Sequence, residues 1–294
     1  MAKMSLYMFT AGFISLALAG AMYLVYGAGQ AVGRLRLTPG GGAAGAVMEG
    51  WQFRGQSPIG RIATIFAWNA AVFLLFSVMF RTIVSGRGPF SNMYEFSLVF
   101  SMGIVAAYLF VETKYKVKTV GAVVVPVAVA MLLYASTLPN DISPLVPALQ
   151  NNLLLTVHVS VAILAYGFFA VSFGSAGLYL IRRATGASAT SLDTLEEVGY
   201  RAILVGFPAM ALVILLGSIW AETAWGRWWG WDPKETASLV TFLLYAGYLH
   251  ARIFRGWRGT RTASLLVIGF GAVLFTYFGN LFFSGLHSYS GLGG

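Results

Sequence analysis

Residues 153–181, LLLTVHVSVAILAYGFFAVSFGSAGLYLI, form a run of 29 amino acids that contains no Lys, Arg, Asp or Glu. A helix needs about 20 consecutive apolar residues to cross a bilayer, so this run predicts a transmembrane helix. Seven further apolar runs predict spans of the same kind, at residues 5–26, 62–83, 96–111, 120–136, 202–220, 236–250 and 263–283. We therefore expect an all-α polytopic integral membrane protein, a bundle of about eight transmembrane helices that forms a single membrane domain over residues 1–294.

The composition of the whole chain agrees with a membrane location. Of its 294 residues, 58% are hydrophobic and only 10% are charged, whereas soluble domains are about 25% charged. The chain has no Cys, which excludes disulfides, thiolate metal sites and Cys nucleophiles from its own chemistry. Any thiol chemistry in which it takes part must use the sulfur of another molecule.

The first predicted span has an alternative interpretation as a secretion signal, because Lys3 precedes an apolar run that contains Ala-Leu-Ala-Gly. The run from Leu6 to Tyr26 is longer than the apolar core of a signal, which has about 7–15 residues. Arg34 and Arg36 follow this run, as in a stop-transfer sequence. We therefore expect residues 5–26 to remain as a membrane span.

The distribution of basic residues predicts the orientation of the bundle. Loops on the inner side of a membrane carry an excess of Lys and Arg. With both termini on the outer side, the inner loops hold 14 of the 19 basic residues: Arg34, Arg36, Arg54, Arg61, Lys114, Lys116, Lys118, Arg182, Arg183, Arg201, Arg252, Arg255, Arg258 and Arg261. The net charge of +9 is thus typical of membrane loops beside lipid headgroups, and it does not indicate a nucleic-acid partner.

A cluster of tryptophans marks the predicted outer loop at residues 221–235. The stretch WGRWWGWDPKET at residues 225–236 places Trp225, Trp228, Trp229 and Trp231 within seven positions. Tryptophans also gather in belts at membrane surfaces, but belts are spread over many helix ends. The clustering favours a flat aromatic platform for a large planar ligand.

The end of this stretch has the pattern of a helix start. Asp232 is a good N-cap, Pro233 suits the first helical position, and Glu235 lies three residues after the cap, as in a capping box. We therefore assign Asp232 a structural role first and a role in binding second.

Two of the three histidines are expected on the same side of the membrane as the Trp cluster. His158 lies near the start of the fifth predicted span, and His287 follows the eighth. Neutral His is a common axial ligand of haem iron, so one His on each face of a planar macrocycle would make a coherent site. The alternative is two separate interfacial His side chains, each bonded to a backbone carbonyl.

The third histidine, His250, is predicted near the inner side, about 25 Å along the seventh helix from its start. Ala246 and Gly247 precede it on the same helical face and leave room for a bulky group. An ionisable residue within a span indicates a functional site, although His250 could also extend to the inner headgroups beside Arg252. No fourth His exists in the chain, so a second haem ligand there would have to come from a partner chain or be absent.

Together these motifs resemble the CcsA (ResC) family of cytochrome c maturation proteins. The stretches that carry the resemblance are PFSNMYEF at 89–96, WGRWWGWDPKET at 225–236, YLHAR at 248–252 and GLHSY at 285–289. They spread over about two-thirds of the chain. The long Trp motif is highly specific, and its DPKET ending is closer to CcsA than to the CcmC and CcmF branches.

The resemblance implies a haem site and a reaction. His158 and His287 would be the axial ligands of an outer haem b, and Trp225, Trp228, Trp229, Trp231 and Asp232 would form the haem-binding loop. His250 would belong to an inner haem site whose second ligand comes from a CcsB (ResB) partner.

With that partner, the chain would act as a cytochrome c synthase (haem lyase). It would attach haem vinyl groups to the thiols of a Cys-x-x-Cys-His motif in apocytochrome c. Thiol-reducing thioredoxin-like proteins are further expected partners. The expected location is the bacterial cytoplasmic membrane or the thylakoid, with the haem site facing the periplasm or outside.

Two other functions remain open. The chain could be a haem exporter or chaperone that passes haem to another carrier, as the CcmC branch does. An electron-transfer subunit like cytochrome b usually needs His pairs within its spans, and a single in-span His argues against it. A CcsB-like partner in the same complex would favour the synthase.

Overall fold

The computed structural model describes residues 1–35, 57–142, 149–150, 152–186, 188–279, 282–283 and 285–287. Within these residues the fold is all-α, as expected, with eight α-helices and no strand. The helices are α1 (Ala2–Leu35), α2 (Pro58–Ser85), α3 (Met93–Tyr115), α4 (Gly121–Ser136), α5 (Asn152–Ala184), α6 (Ala189–Trp225), α7 (Pro233–Ile253) and α8 (Thr260–Phe278). A short 3₁₀ turn at Lys118–Val120 precedes α4.

Several helix ends differ from the predicted span ends. The largest difference is in α6, which begins at Ala189 rather than at residue 202 and continues to Trp225. Hydropathy detects the part of a helix that crosses a bilayer, and it misses polar turns that continue the helix beyond it. Conversely, α8 ends at Phe278 with Gly279 as its C-cap, although the apolar run continues to residue 283, and Phe282 and Phe283 are exposed beyond it.

Seven of the eight described helices are long and apolar enough to cross a membrane, which confirms an integral membrane protein. The exception is α7, whose 21 residues include Lys234 and Glu235 at the start and His250 and Arg252 at the end. These polar ends lower its average hydropathy. The predicted span at residues 236–250 is therefore helical, and its crossing of the membrane stays a prediction.

The helix α5 occupies the centre of the bundle, where it packs against α3, α4, α6 and α8. Its backbone approaches that of α3 closely at Gly167, where an added Cβ would lie 2.7 Å from the carbonyl oxygen of Gly103. Small residues let helix backbones approach in this way in membranes. The α1–α2 hairpin packs on the outside of this core, against α3 and α4.

A buried carboxylate joins several elements at the end of the bundle where residues 226–232 connect α6 to α7, which we call the Trp-loop end. Glu95 of α3 is fully buried, and it accepts a hydrogen bond of 2.6 Å from Arg81 Nε and one of 2.7 Å from the Ser91 backbone N–H. Arg81 also donates to the carbonyl oxygens of Asn140 and Asp141 after α4. The PFSNMYEF stretch thus fixes the ends of α2, α3 and α4 relative to one another.

A second buried carboxylate has a matching role at the opposite end. Glu112 of α3 accepts hydrogen bonds from the hydroxyls of Tyr23, Tyr108 and Thr64 at 2.5–2.6 Å. Lys118 Nζ lies 3.7 Å from the same carboxylate. A buried charge is tolerated when its oxygens are paired and hydrogen-bonded. The cluster joins α1, α2 and α3.

Candidate functional site

The connection between α6 and α7 is shorter than the predicted loop at 221–235. Residues 221–225 belong to α6, and α7 begins at Pro233, so the connection itself is residues 226–232. Within it, Trp231 has a φ of +56°, which is uncommon for a bulky residue. Such conformations persist only where the surroundings hold them, and they cluster at functional sites.

The predicted cap of α7 is confirmed by its hydrogen bonds. The Asp232 carboxylate accepts from the Lys234 N–H at 3.1 Å, and Glu235 Oε2 accepts from the Asp232 N–H at 3.1 Å. Glu235 Oε2 also accepts from the Gly230 N–H at 2.8 Å. The capping box therefore fixes both the start of α7 and the backbone of the Trp-rich connection.

Asp232 has a further role that the sequence argument placed second. Its Oδ2 lies 2.8 Å from His287 Nδ1, and its Oδ1 accepts from the Leu286 N–H at 2.6 Å. A carboxylate can only accept, so Nδ1 of His287 carries the proton. A Cβ at Gly285 would collide with the Asp232 carboxylate, so the tail can approach this closely only with Gly there. One buried carboxylate thus joins the cap of α7 to the histidine after α8.

The electrostatics of this pair favour a neutral imidazole and an ionised carboxylate. Burial lowers the pKa of His287, and the hydrogen bond to Asp232 raises it only in part, so the pKa stays below its ordinary value. Burial raises the pKa of Asp232, but the hydrogen bonds from His287 and from the backbone of Lys234 and Leu286 outweigh this effect, so that pKa is also lowered. Neutral imidazole is the form that binds metals.

His158 of α5 reaches the same place from the centre of the bundle. Its ring lies against Gly217 of α6. Its Nδ1 atom is buried, and the ring interacts with the backbone of Val213, one turn before Gly217 on α6.

The two histidines line one cavity at the Trp-loop end. The cavity has about 1010 Å³ of empty space, a volume that includes its opening to the outside. His158, His287, Trp228, Trp229 and Lys234 contribute to its lining. Apolar side chains from α3, α5 and α6 form most of the remaining wall. The expected convergence of the histidines and the Trp stretch is therefore found in the fold.

The Trp cluster was predicted to form one flat platform. In the structure, the four tryptophans of the stretch do not do so. Only Trp228 and Trp229 line the cavity. Trp225 packs edge-to-face on the His287 ring, with centroids 4.8 Å apart at 75°. Trp231 is 69% exposed and stands at 89° to Trp229. The backbone turn through residues 226–232 points the rings in different directions, which a count of tryptophans cannot reveal.

His250 is separate from this cavity. It lies three residues before the end of α7 and is exposed, with its ring centroid 5.2 Å from that of Phe254. A Cβ on Gly247, one turn earlier, would meet open space. The neighbouring Arg252 is buried and bound to Glu196 of α6. The structure thus places His250 on an open face of α7 at the opposite end of the helix from the Trp loop.

Two residues of the cavity wall were missed in the sequence argument. Lys234 lines the cavity beside the histidines, and Trp220 of α6 lies 5.6 Å from His287 by ring centroids. The sequence contained an indication for Lys234, because a cation is unfavourable in the first turn of a helix and its presence there suggests a function. Trp220 gave no such signal, because a Trp near the end of a span is ordinary in a membrane protein.

The chain was compared with known protein families and curated proteins. The profile of the cytochrome C assembly protein family matches residues 90–287. The cytochrome c biogenesis protein CcsA of Trieres chinensis is 38% identical over 281 residues, which cover 82% of this chain and 90% of the relative. CcsA of Guillardia theta is 36% identical over 241 residues, which cover 72% of this chain and 80% of the relative.

A solved structure has a similar fold. The cytochrome c haem lyase CcmF superposes with a TM-score of 0.65 at 19% sequence identity, over 92% of this chain and 46% of the CcmF chain. This chain therefore spans less than half the length of that protein, and the likeness concerns the fold alone. The sequence matches, in contrast, exceed 30% identity over most of both proteins. The chain therefore belongs to the CcsA family of cytochrome c assembly proteins and acts in cytochrome c maturation.

Proposed function

We propose that the chain binds haem b as its substrate in the cavity at the Trp-loop end, with His158 and His287 as the axial ligands of the iron. The observation that carries this proposal is the position of both histidines in the wall of one largely apolar cavity. Pockets of this kind bind planar organic ligands through apolar walls and orient them through a few polar groups.

The donor groups present fit a haem better than a bare metal ion. In the described part of the chain, no group of three or more His, Asp and Glu side chains is placed to hold a metal ion. Haem iron brings four nitrogen ligands of its own and needs at most two from the protein. The position of the His158 ring in the cavity wall supports a ligand at this position.

The contact between His287 and Asp232 also supports ligation. Metal-binding histidines commonly donate their second ring N–H to a carboxylate, which fixes the tautomer and the orientation of the ring. Here Nδ1 donates to Asp232, so we assign Nε2 as the atom that binds iron. Trp225 packs on the same ring and limits its rotation.

The chain's own residues bind and orient the haem, which supplies the reactive vinyl groups. Each acceptor thiol adds across one vinyl double bond, so that a C–S bond and a C–H bond form and no group leaves. Holding the haem in one orientation beside the acceptor provides much of the rate through proximity. We therefore propose that the chain is the haem-binding subunit of a haem lyase that acts on apocytochrome c with a CcsB-like partner.

The open face of α7 is our candidate for a second, inner haem site. His250 is exposed there, and Gly247 leaves space above it. We propose that a ligand from the CcsB-like partner completes this site. We also propose that the Trp-loop end faces the periplasm or the thylakoid lumen, because the basic loops gather at the opposite end.

The proposed function can be tested in a host that lacks its own cytochrome c maturation system. The chain, a CcsB-like partner and an apocytochrome c are expressed together, and covalent haem in the cytochrome is measured after denaturing electrophoresis. We expect covalent haem only when both membrane proteins are present. If haem reaches another carrier but never becomes covalently attached to the apocytochrome, the chain is an exporter or chaperone.

A further inference from the structure

Lys234 introduces a positive charge into the cavity that the proposed haem site leaves unexplained. It is the second residue of α7, and its side chain lines the same cavity as His158 and His287. Among the described residues that line this cavity, it is the only Lys or Arg. The helix dipole is positive at this end of α7, so it disfavours the positive charge of Lys234 there.

The carboxylates that flank Lys234 in the sequence, Asp232 and Glu235, accept hydrogen bonds from other groups. Both oxygens of Asp232 accept hydrogen bonds, from Leu286, His287 and the Lys234 backbone. Glu235 Oε2 accepts two backbone N–H groups of the Trp-rich connection. None of the ion pairs that the described residues form within 4.0 Å includes Lys234.

The contact that the Lys234 ammonium does make is with an aromatic ring. Its Nζ lies 5.6 Å from the ring centroid of Phe96 on α3. A cation–π contact at this distance leaves the ammonium with unused hydrogen-bond donors, because Lys has three. A partly buried ammonium in a largely apolar cavity is stabilised by an anion, since an unpaired charge loses hydration there. An anionic group on the ligand would therefore stabilise the Lys234 ammonium.

Haem carries such groups on one edge only, as two propionate carboxylates, and its vinyl groups lie towards the opposite edge. We propose that Lys234 binds a propionate of the haem and thereby determines which edge of the macrocycle faces the start of α7. This inference rests on the proposed function, because it assumes haem in the cavity. The ion pair turns the vinyl edge away from α7, so Lys234 selects the orientation in which vinyl groups meet the acceptor thiols.

The test compares two ligands that differ at the propionates, which are anionic in one and neutral methyl esters in the other. Haem b and its dimethyl ester, in which both propionates are neutral, are titrated into haem-free full-length protein in detergent. The variants are Lys234→Met, which keeps a long apolar stem, and Lys234→Arg, which keeps the charge. We expect Lys234→Met to bind haem about ten- to hundredfold more weakly, as for the loss of a charged hydrogen bond. Its affinity for the dimethyl ester should stay the same as that of the unchanged protein.

The other outcomes discriminate between the inference and the proposed function. If Lys234→Met lowers the affinity for both ligands equally, Lys234 only supports the fold through Phe96. If its affinity for haem is unchanged, Lys234 has no role in haem binding. Either result would contradict the binding of a propionate by Lys234, but neither would contradict the proposed haem site. Lys234→Arg should retain most of the preference for haem over the ester. If the unchanged protein binds neither ligand, the proposed function fails, and the inference fails with it.

Discussion

At the scale of single residues, Asp232 has three distinct roles. It caps α7 through the Lys234 N–H, holds the tail through the Leu286 N–H, and orients the His287 ring. Capping could be predicted from the order Asp-Pro-Lys-Glu. The contact with His287 could not, because it depends on how the chain returns after α8 to a loop more than 50 residues earlier.

Replacing Asp232 with Asn separates these roles. Asn caps helices about as well as Asp, so α7 should form normally. Asn has only one accepting oxygen, however, and Asp232 uses both. We expect haem affinity at the outer site to fall about ten- to hundredfold, as for other changes to the partner of a metal-binding His. The measurement is haem titration, together with helix content by circular dichroism.

Glu235→Gln is the matched control for this change. The single side-chain oxygen of Gln can still accept the two backbone N–H groups that Glu235 Oε2 accepts, so the Trp-rich connection keeps its hydrogen bonds. We expect nearly unchanged haem affinity. If Asp232→Asn also retains full affinity, the carboxylate does not support the iron ligand and serves only as a cap.

The tryptophans of the connection should differ in their effects on binding. Trp228 and Trp229 line the cavity, whereas Trp231 is exposed outside it. Stacked aromatic contacts contribute about 0.5–1.5 kcal/mol beyond the burial of area, which corresponds to roughly two- to tenfold in affinity. We expect Trp229→Ala to weaken haem retention by at least this factor and Trp231→Ala to have a smaller effect. Equal losses in both variants would contradict the placement of the rings.

At the scale of elements, the central helix α5 positions His158 by packing tightly on α3. The convergence of His158 with the Trp connection could be predicted from span counting, because both were expected on one side of the membrane. The helical extension at residues 189–201 could not, because its Asp193, Glu196 and Glu197 reduce the hydropathy that defines a span. The same polar turns supply Glu196 for the ion pair with Arg252.

The crossing of α3 and α5 gives a prediction at this scale. An Ala at position 167 would place its Cβ 2.7 Å from the Gly103 carbonyl oxygen, and backbone there cannot move without separating the helices. We expect Gly167→Ala to destabilise the protein by about 1–3 kcal/mol, as for other overpacked sites. Thermal unfolding in detergent measures the effect. Gly177→Ala on the same helix is the control, because its Cβ would lie 3.8 Å from Val123, an ordinary contact.

At the scale of the whole molecule, the eight helices of the described residues place the cavity and His250 at opposite ends of α7. The number of helices and the all-α class could be predicted from apolar runs alone. The shape of the cavity could not, because it depends on the directions of Lys234, Trp220 and the rings of the Trp connection. The directions of Lys234 and of the Trp rings depend on the cap of α7 and on the turn through residues 226–232, which hydropathy does not register.

The expected orientation in the membrane is tested by reporter fusions. A reporter after Thr185, between α5 and α6, should be active on the inner side, and one at the carboxyl terminus should be active on the outer side. The reason is the concentration of Lys and Arg in the loops assigned to the inner side. The reverse pattern would place the cavity on the inner face, where it could not serve an acceptor outside.

The absorption spectrum of the purified chain, reconstituted with haem b, tests the central claim most directly. We expect a low-spin, six-coordinate haem in the unchanged protein, because His158 and His287 would occupy both axial positions. His158→Gly and His287→Gly should each lose this spectrum and regain it with added imidazole, whereas His250→Gly should keep the outer-site signal. An unchanged low-spin spectrum in either His158→Gly or His287→Gly, without imidazole, would contradict the account.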